Sequence, residues 1–453
     1  MSAKNCDKMV LGNNCVVSTD SEKTGRNNHI LVIGGSGSGK THSVVEPTLM
    51  ETNESSIVIA DPKGRLLRKY GAYMESKGYH VQTLDFNNPR KSPVGYDPLQ
   101  MLRRSTNCLY GSHSRRTRFH RTPEGRDVMS LAHLIVRNDP NHQKQHRADP
   151  FWDDMSEVLL SSLISLLMEY YREKDQTLAD LTSIVDHCTS FSQAGMKHMD
   201  SLFERVEQIH KNHFAARQFR KVRQAPEKTL GSIFVTLSSF LGRITTDDLC
   251  EFMKREEQIS PVDLLREKTA LFVQCSDSDS TLYFLVNVFY TQMMQYLFRL
   301  KDLPEFEKSR PVRFILDDFA TNVVVPDMPK WISIMRERDI SVMLILQSVT
   351  QLEGIYGECD ARTIISNCDN IVYLRSNDLK TSVEFSERLD VPAKDLLYTP
   401  VGREYVLLAG KEPIRTERFD IRNHEDYSLV YSDRDIKDNA QERDADREER
   451  GVA

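Results

Sequence analysis

A chain of 453 residues holds two to four domains with a large buried core, which excludes a single small module. Lys plus Arg number 60 against 66 Asp plus Glu, so no basic field covers the molecule and any nucleic-acid contact must be local. Hydrophobic residues at 39% and charged residues at 28% exclude collagen-like, disordered and membrane-embedded classes.

The eight cysteines are scattered without a C-x-x-C pair, which fits reduced thiols in a cytosolic compartment. Met1 to Val10 lacks the charged-then-apolar layout of an export signal. No window reaches the roughly 18 uninterrupted apolar residues of a membrane span. The nearest, Thr281 to Leu300, carries Asn287, Gln292 and Gln295 and reads as a buried helix.

In chain order, apolar runs at His29 to Ile33, Ser56 to Ala60 and His80 to Leu84 alternate with helical stretches, which predicts a parallel sheet covered by helices. Arg103 to Arg126 then carries seven arginines against Glu124 and reads as an exposed basic loop. From Asp127 to about Lys228 the spacing of Leu159, Leu160, Leu163, Leu166 and Leu167 is helical, without convincing strands. Alternation resumes at Ala270 to Gln274, Val312 to Leu316, Ile340 to Leu346, Ile371 to Leu374 and Glu404 to Ala409. The expected organisation is an α/β nucleotide-binding domain over 1–126 and 229–430, an all-α insertion over 127–228, and a charged disordered tail over 431–453.

The strand at His29 to Ile33 runs into Gly34-Gly35-Ser36-Gly37-Ser38-Gly39-Lys40-Thr41, the G-x-x-x-x-G-K-[ST] phosphate loop in its strand-to-helix context. Glycines let backbone N–H groups wrap a phosphate chain, Lys40 reaches the β/γ-phosphates and Thr41 ligates Mg²⁺. The implied ligands are ATP and Mg²⁺. The apolar run Val312 to Leu316 ends in Asp317 and Asp318, one to hold Mg²⁺ and one to polarise the attacking water. Gln347, closing the next strand, is either a γ-phosphate sensor or an ordinary strand-end amide. Arg336 is either part of a solvated helix face or an arginine finger for a neighbouring subunit, and Lys63 is either at the nucleotide edge or an exposed turn lysine. His142 and His146 have helical spacing but no third ligand, and read as solvated.

Several separated blocks together resemble the TraG-like coupling ATPases of conjugative type IV secretion systems. They are Thr24 to Thr41, Asp61-Pro-Lys-Gly64, Asp97-Pro-Leu99, Asp149-Pro-Phe-Trp152, Asp277 to Thr281, Leu316 to Ala320, Met335 to Arg338, Gln347 to Leu352 and Asn367-Cys-Asp369. The resemblance implies a RecA-like motor interrupted by an all-α domain, assembling as a homo-hexamer that couples ATP hydrolysis to DNA movement. It implies a relaxase partner, type IV secretion channel components, DNA bound without sequence preference, and a place in the bacterial cytoplasm at the inner face of the membrane. Carried over by position, Lys40 and Thr41 match the first phosphate motif, Asp317 the Mg²⁺-linked acid, Arg336 the trans-acting arginine and Gln347 the sensor.

Two departures stand out. The second acid is Asp318 where the family often has Glu. The family usually places transmembrane helices ahead of the motor, whereas only about 28 polar residues precede the first expected strand here, so the sequence is either a fragment or a membrane-free version. The competing expectations are a non-translocating nucleotide-binding adaptor that recruits relaxase or effector substrates, and a chromosome-partition or replication ATPase, against which the Gln347 and Asn367 blocks speak.

Overall fold

The computed structural model describes residues 6–110, 123–137, 149–189, 193–244, 246–276, 281–321 and 323–431. Eleven strands occur among them: β1 (Lys8–Gly12), β2 (Cys15–Ser18), β3 (Ile30–Ile33), β4 (Ser56–Ala60), β5 (His80–Asp85), β6 (Thr269–Gln274), β7 (Val312–Leu316), β8 (Ile340–Leu346), β9 (Asn370–Tyr373), β10 (Arg403–Leu408) and β11 (Ile414–Glu417). β1 and β2 pair as a hairpin, and the other nine form one sheet in the order β11-β10-β9-β3-β8-β7-β4-β6-β5. From β9 to β5 every pair is parallel, whereas β10 and β11 run antiparallel at the edge. Every strand expected from the sequence is present to within one residue at either end.

The central strands read as continuous apolar runs because both faces of a parallel sheet are covered. All residues of β3 and β8 are buried. Successive side chains point to opposite faces. Thus Ile30, Val32, Ile57, Ile59 and Ile315 pack with the hairpin residues Met9 and Leu11 and with Tyr70 and Met74 of the helix Arg65–Ser76. Leu31, Ile33, Val58, Phe314 and Leu344 pack on the other face, in a core continuous with the long helical segment.

That segment fills the chain between β5 and β6. Its central helix, Pro150–Tyr170, buries Leu159, Leu160, Leu163 and Leu167 and packs against Gly125–Arg137, Phe214–Arg223 and Glu227–Leu241. The ends expected at 127 and 228 need correction. Helices already begin at Pro98, and Glu227–Leu241 runs through the second boundary, burying Leu230, Ile233, Phe234 and Leu237. The helical stretch closes only at Arg266.

Two further expectations change. Arg103 and Arg104 lie in the helix Pro98–Tyr110, not in an exposed loop. Arg103 is buried and pairs with Glu173, and Arg104 donates to the Gln258 carbonyl (3.0 Å). Arg126 opens another helix, and the four arginines between lie outside the described residues, as do His142, His146, Asp277 to Ser280 and the segment after Tyr431. The stretch before β3 is not simply polar, since the β1–β2 hairpin buries Met9, Val10, Leu11, Cys15 and Val17. After β10 the chain forms β11 and buries Ile421 and Tyr431.

No described helix is long and apolar enough to cross a membrane. The expected buried helix is Tyr283–Lys301. Two of its polar residues are satisfied internally: Asn287 accepts from Val324 N–H (2.9 Å), and Gln292 accepts from the Tyr96 hydroxyl (2.9 Å) and donates to Pro98 O (3.0 Å).

Candidate functional site

The site lies where β3, β8 and β7 end side by side. After Ile33 the chain turns through Gly34 to Gly39, pinned on both flanks: Gly34 N–H donates to Leu346 O (3.1 Å) and Gly35 N–H to Arg375 O (2.7 Å). Gly37 and Gly39 have φ of 69° and 84°, a left-handed conformation that favours glycine. Gly34 is required for space, since a Cβ there would lie 2.7 Å from Ser38 Oγ and 2.9 Å from Leu374 Cβ. The first turn of the following helix, Thr41–Val45, is widened: Glu46 N–H bonds to Thr41 O, five residues back. Pro47, with no N–H, cannot continue the tighter ladder.

Glu46 anchors this helix from below. Its buried carboxylate accepts from Lys69 Nζ (2.7 Å), Tyr70 OH (2.9 Å) and Tyr431 OH (2.8 Å), with His42 Nδ1 at 3.4 Å. Burial works to raise its pKa, but the His42 and Lys69 donors prevail and hold it down to about 2. The phosphate loop is thereby fastened to the helix Arg65–Ser76 and to the C-terminal turn.

On the facing side, Lys40 folds its ammonium onto Gly34 O (2.6 Å) and Gly35 O (3.1 Å). Burial pulls its pKa down, against the attraction of Asp317 and Asp318. Thr41 Oγ1 lies 3.5 Å from Asp317 Oδ2, so hydroxyl and carboxylate converge. Asp317 accepts from Asp318 N–H (3.0 Å), yet burial and the neighbouring Asp318 charge push its pKa up to about 6. Gln347 donates to Asp318 Oδ1 (3.2 Å). Asp318 itself sits at φ 50°, in the left-handed region, which turns the chain sharply after β7.

Two hard oxygen donors from one carboxylate and one hydroxyl suit Mg²⁺, which takes most of its remaining ligands from water and phosphate. A cation there would also relieve the raised carboxylate. Among the described residues no cluster of three or more His, Cys, Asp or Glu forms a self-sufficient metal cage.

The structure therefore brings together Lys40, Thr41, Asp317, Asp318 and Gln347. It separates Arg336, which precedes β8 and donates a long bond to Gly25 O (3.5 Å). The seven residues of β8 put Arg336 roughly 20 Å from the Gln347 end, so it cannot serve the cradle of its own chain. Lys63 is exposed after β4, at the same edge of the sheet but three strands from β3. The neighbouring Asp61 is buried, accepts from Leu67 N–H (2.8 Å), and shapes that turn.

Several blocks that carry the resemblance prove to be fasteners. Asp97 accepts from Gln100 N–H (2.9 Å) and Leu178 N–H (2.8 Å), and Asp369 accepts from Asn27 N–H (2.6 Å) just ahead of β3. Sequence reasoning missed Arg375, Glu404 and Arg418 beside the phosphate loop. No local motif marks them, because β9, β10 and β11 reach the loop only through the sheet order.

Strand order and cradle define an α/β protein of the P-loop type with a mostly parallel, RecA-like sheet. The chain belongs to the family described as Type IV secretory system Conjugative DNA transfer, whose match spans residues 1–390. Protein VirD4 of Agrobacterium fabrum is 22% identical over 366 residues, covering 81% of this chain and 50% of the relative. The conjugal transfer protein TraG of Escherichia coli is 25% identical over 364 residues, covering 75% and 51%. The chain thus spans about half the length of these relatives. Among solved structures, the unbound monoclinic form of the bacterial conjugative coupling protein TrwBdeltaN70 superposes with a TM-score of 0.63 at 18% identity, covering 92% of this chain and 90% of that one. The plasmid coupling protein TrwB in complex with ADP and Mg²⁺ gives 0.61 at 17% identity, covering 86% and 85%.

Proposed function

We propose that this chain is an ATP-hydrolysing coupling protein that recruits a relaxase–DNA complex to a type IV secretion channel and drives DNA transfer in conjugation. The observation that carries the reading is the convergence of Lys40, Thr41, Asp317 and Gln347 on one cradle at the ends of three adjacent parallel strands. Bound Mg²⁺ would supply charge neutralisation of the phosphates. Thr41 and Asp317 would hold it, Lys40 would exchange the loop carbonyls for a phosphate oxygen, and Asp318, bonded by Gln347, would orient the attacking water.

Arg336, remote from its own cradle, supports a head-to-tail homo-hexamer in which each subunit offers this arginine to the next. DNA would be bound through its phosphates without sequence preference, at the cytoplasmic face of the bacterial inner membrane. The second reading, a nucleotide-binding adaptor that recruits substrate without translocating it, is favoured by Asp318, one methylene shorter than the acid the family often carries.

The test is transfer frequency in a donor whose only copy carries Lys40→Ala. Loss of at least about a hundred-fold is expected, the scale on which a residue stabilising transition-state charge acts. Undiminished transfer would exclude the motor.

A further inference from the structure

Arg418 follows β11, and its backbone N–H is fixed to Gly402 O (2.9 Å). Its guanidinium rests against the phosphate loop: Nη1 lies 3.1 Å from where a Cβ on Gly39 would stand. The buried Nε has no hydrogen-bond partner. The acid that influences it is Glu404 on β10, whose two oxygens are likewise buried and unpartnered, so no bond joins the two side chains.

Glu404 is sealed in place. It is wholly buried, and the hairpin closes over it so tightly that a Cβ on Gly12 would lie 2.9 Å from its Oε1. Burial pushes its pKa up to about 8, with Arg418 pulling the other way. Arg375, whose carbonyl holds Gly35, adds a second positive charge near Arg418. A guanidinium is a planar fork of five donors that cannot shed its charge, and here it is pressed against a phosphate loop with no protein anion bonded to it. That is the arrangement of an anion site awaiting its ligand.

The sheet order says which part of a nucleotide it meets. Asp317, Asp318 and Gln347 stand on the β8–β7 side of β3, which is the side of the terminal phosphate and attacking water. Arg418 stands on the opposite side, beyond β9 and β10. Resting on the nucleotide reading of the cradle, we propose that Arg418 is a nucleotide ligand supplied by the chain's own C-terminal strand, bonding the phosphates nearest the ribose of a nucleoside di- or triphosphate.

The experiment is titration of the full chain with a fluorescent ADP and with a non-hydrolysable ATP analogue, both with Mg²⁺. The variants are Arg418→Gln, Arg418→Lys, Lys40→Ala and, as control, Arg415→Gln on β11, whose side chain lies over the Tyr405 ring of the neighbouring β10. Arg418→Gln should weaken both nucleotides by the same factor, about ten- to a hundred-fold, the loss of hydrogen bonds to a charged group. Arg418→Lys should fall between, and Arg415→Gln should match the wild type. A folded Arg418→Gln with wild-type affinity would overturn the inference alone, and a loss confined to the triphosphate would overturn the assignment to the ribose side. If Arg418→Gln does not fold, wild-type affinity in Arg418→Lys overturns it instead, since a lysine lacks the fork. Failure of the wild type to bind ADP would overturn the nucleotide reading itself.

Discussion

Asp317→Asn should make the nucleotide-free protein more stable. The Asp317 carboxyl is pushed from 3.8 up to about 6 by burial and by Asp318, so the folded state holds its proton more tightly than the unfolded chain does. The resulting destabilisation is absent below about pH 4 and complete above about pH 6 to 7, where it reaches about 3 kcal/mol as an upper figure for a partly exposed carboxylate. At pH 5 the same two pKa values give about 1.6 kcal/mol. Asparagine keeps an oxygen for Asp318 N–H but never ionises. Urea denaturation should therefore show a gain for Asp317→Asn that grows by about 1.4 kcal/mol between pH 5 and pH 8. The same variant should lose the extra stabilisation that Mg²⁺ adds to bound ADP. A gain that does not change with pH, or a net loss at pH 8, would refute the reasoning.

One other carboxylate should behave oppositely, and a second tests the hairpin. Glu46 is held down from 4.5 to about 2, so its contribution is present above about pH 4.5 and lost as pH falls toward 2. Glu46→Gln should cost about 3 kcal/mol at pH 7 and much less at pH 3, read by denaturation at both; equal losses would contradict this. Asp7 is buried and accepts from Asn53 N–H (2.6 Å), Glu54 N–H (2.7 Å), Ser55 N–H (3.1 Å) and the Ser55 hydroxyl. It also balances the buried Arg313. Asp7→Ala should cost about 3–5 kcal/mol by equilibrium denaturation, and a loss below about 1 kcal/mol would show that the hairpin is not locked through this residue.

What could be read from the sequence was what neighbouring residues determine. The inner strands announce themselves because a strand covered on both faces must be apolar throughout, as in Ile340 to Leu346. The phosphate loop is likewise local, eight residues whose types and order follow from wrapping a phosphate chain. Asp317 was legible only as the end of such a strand.

The rest depends on distant partners. Arg103 and Arg104 read as a basic loop because Glu173 and the Gln258 carbonyl, which bind them, lie far along the chain. The helical boundary at 228 failed because Glu227–Leu241 has an apolar face whose burial against Pro150–Tyr170 only packing reveals. Met9 to Leu11 is too short a run to signal a strand, yet it closes one face of the sheet. Arg418 reaches Gly39 only because two antiparallel strands extend the sheet past β9.

The central claim, a DNA-driven ATPase with sites shared between subunits, is tested most directly by steady-state ATP hydrolysis with and without single- and double-stranded DNA at two protein concentrations. Lys40→Ala and Arg336→Ala should be run alongside, alone and mixed with wild type. The account predicts turnover that rises with DNA and more than linearly with protein, lost in both variants alone, and shared in mixtures because Arg336 serves a neighbour's cradle. Nucleotide binding without DNA-stimulated turnover, or full activity in Arg336→Ala, would contradict it.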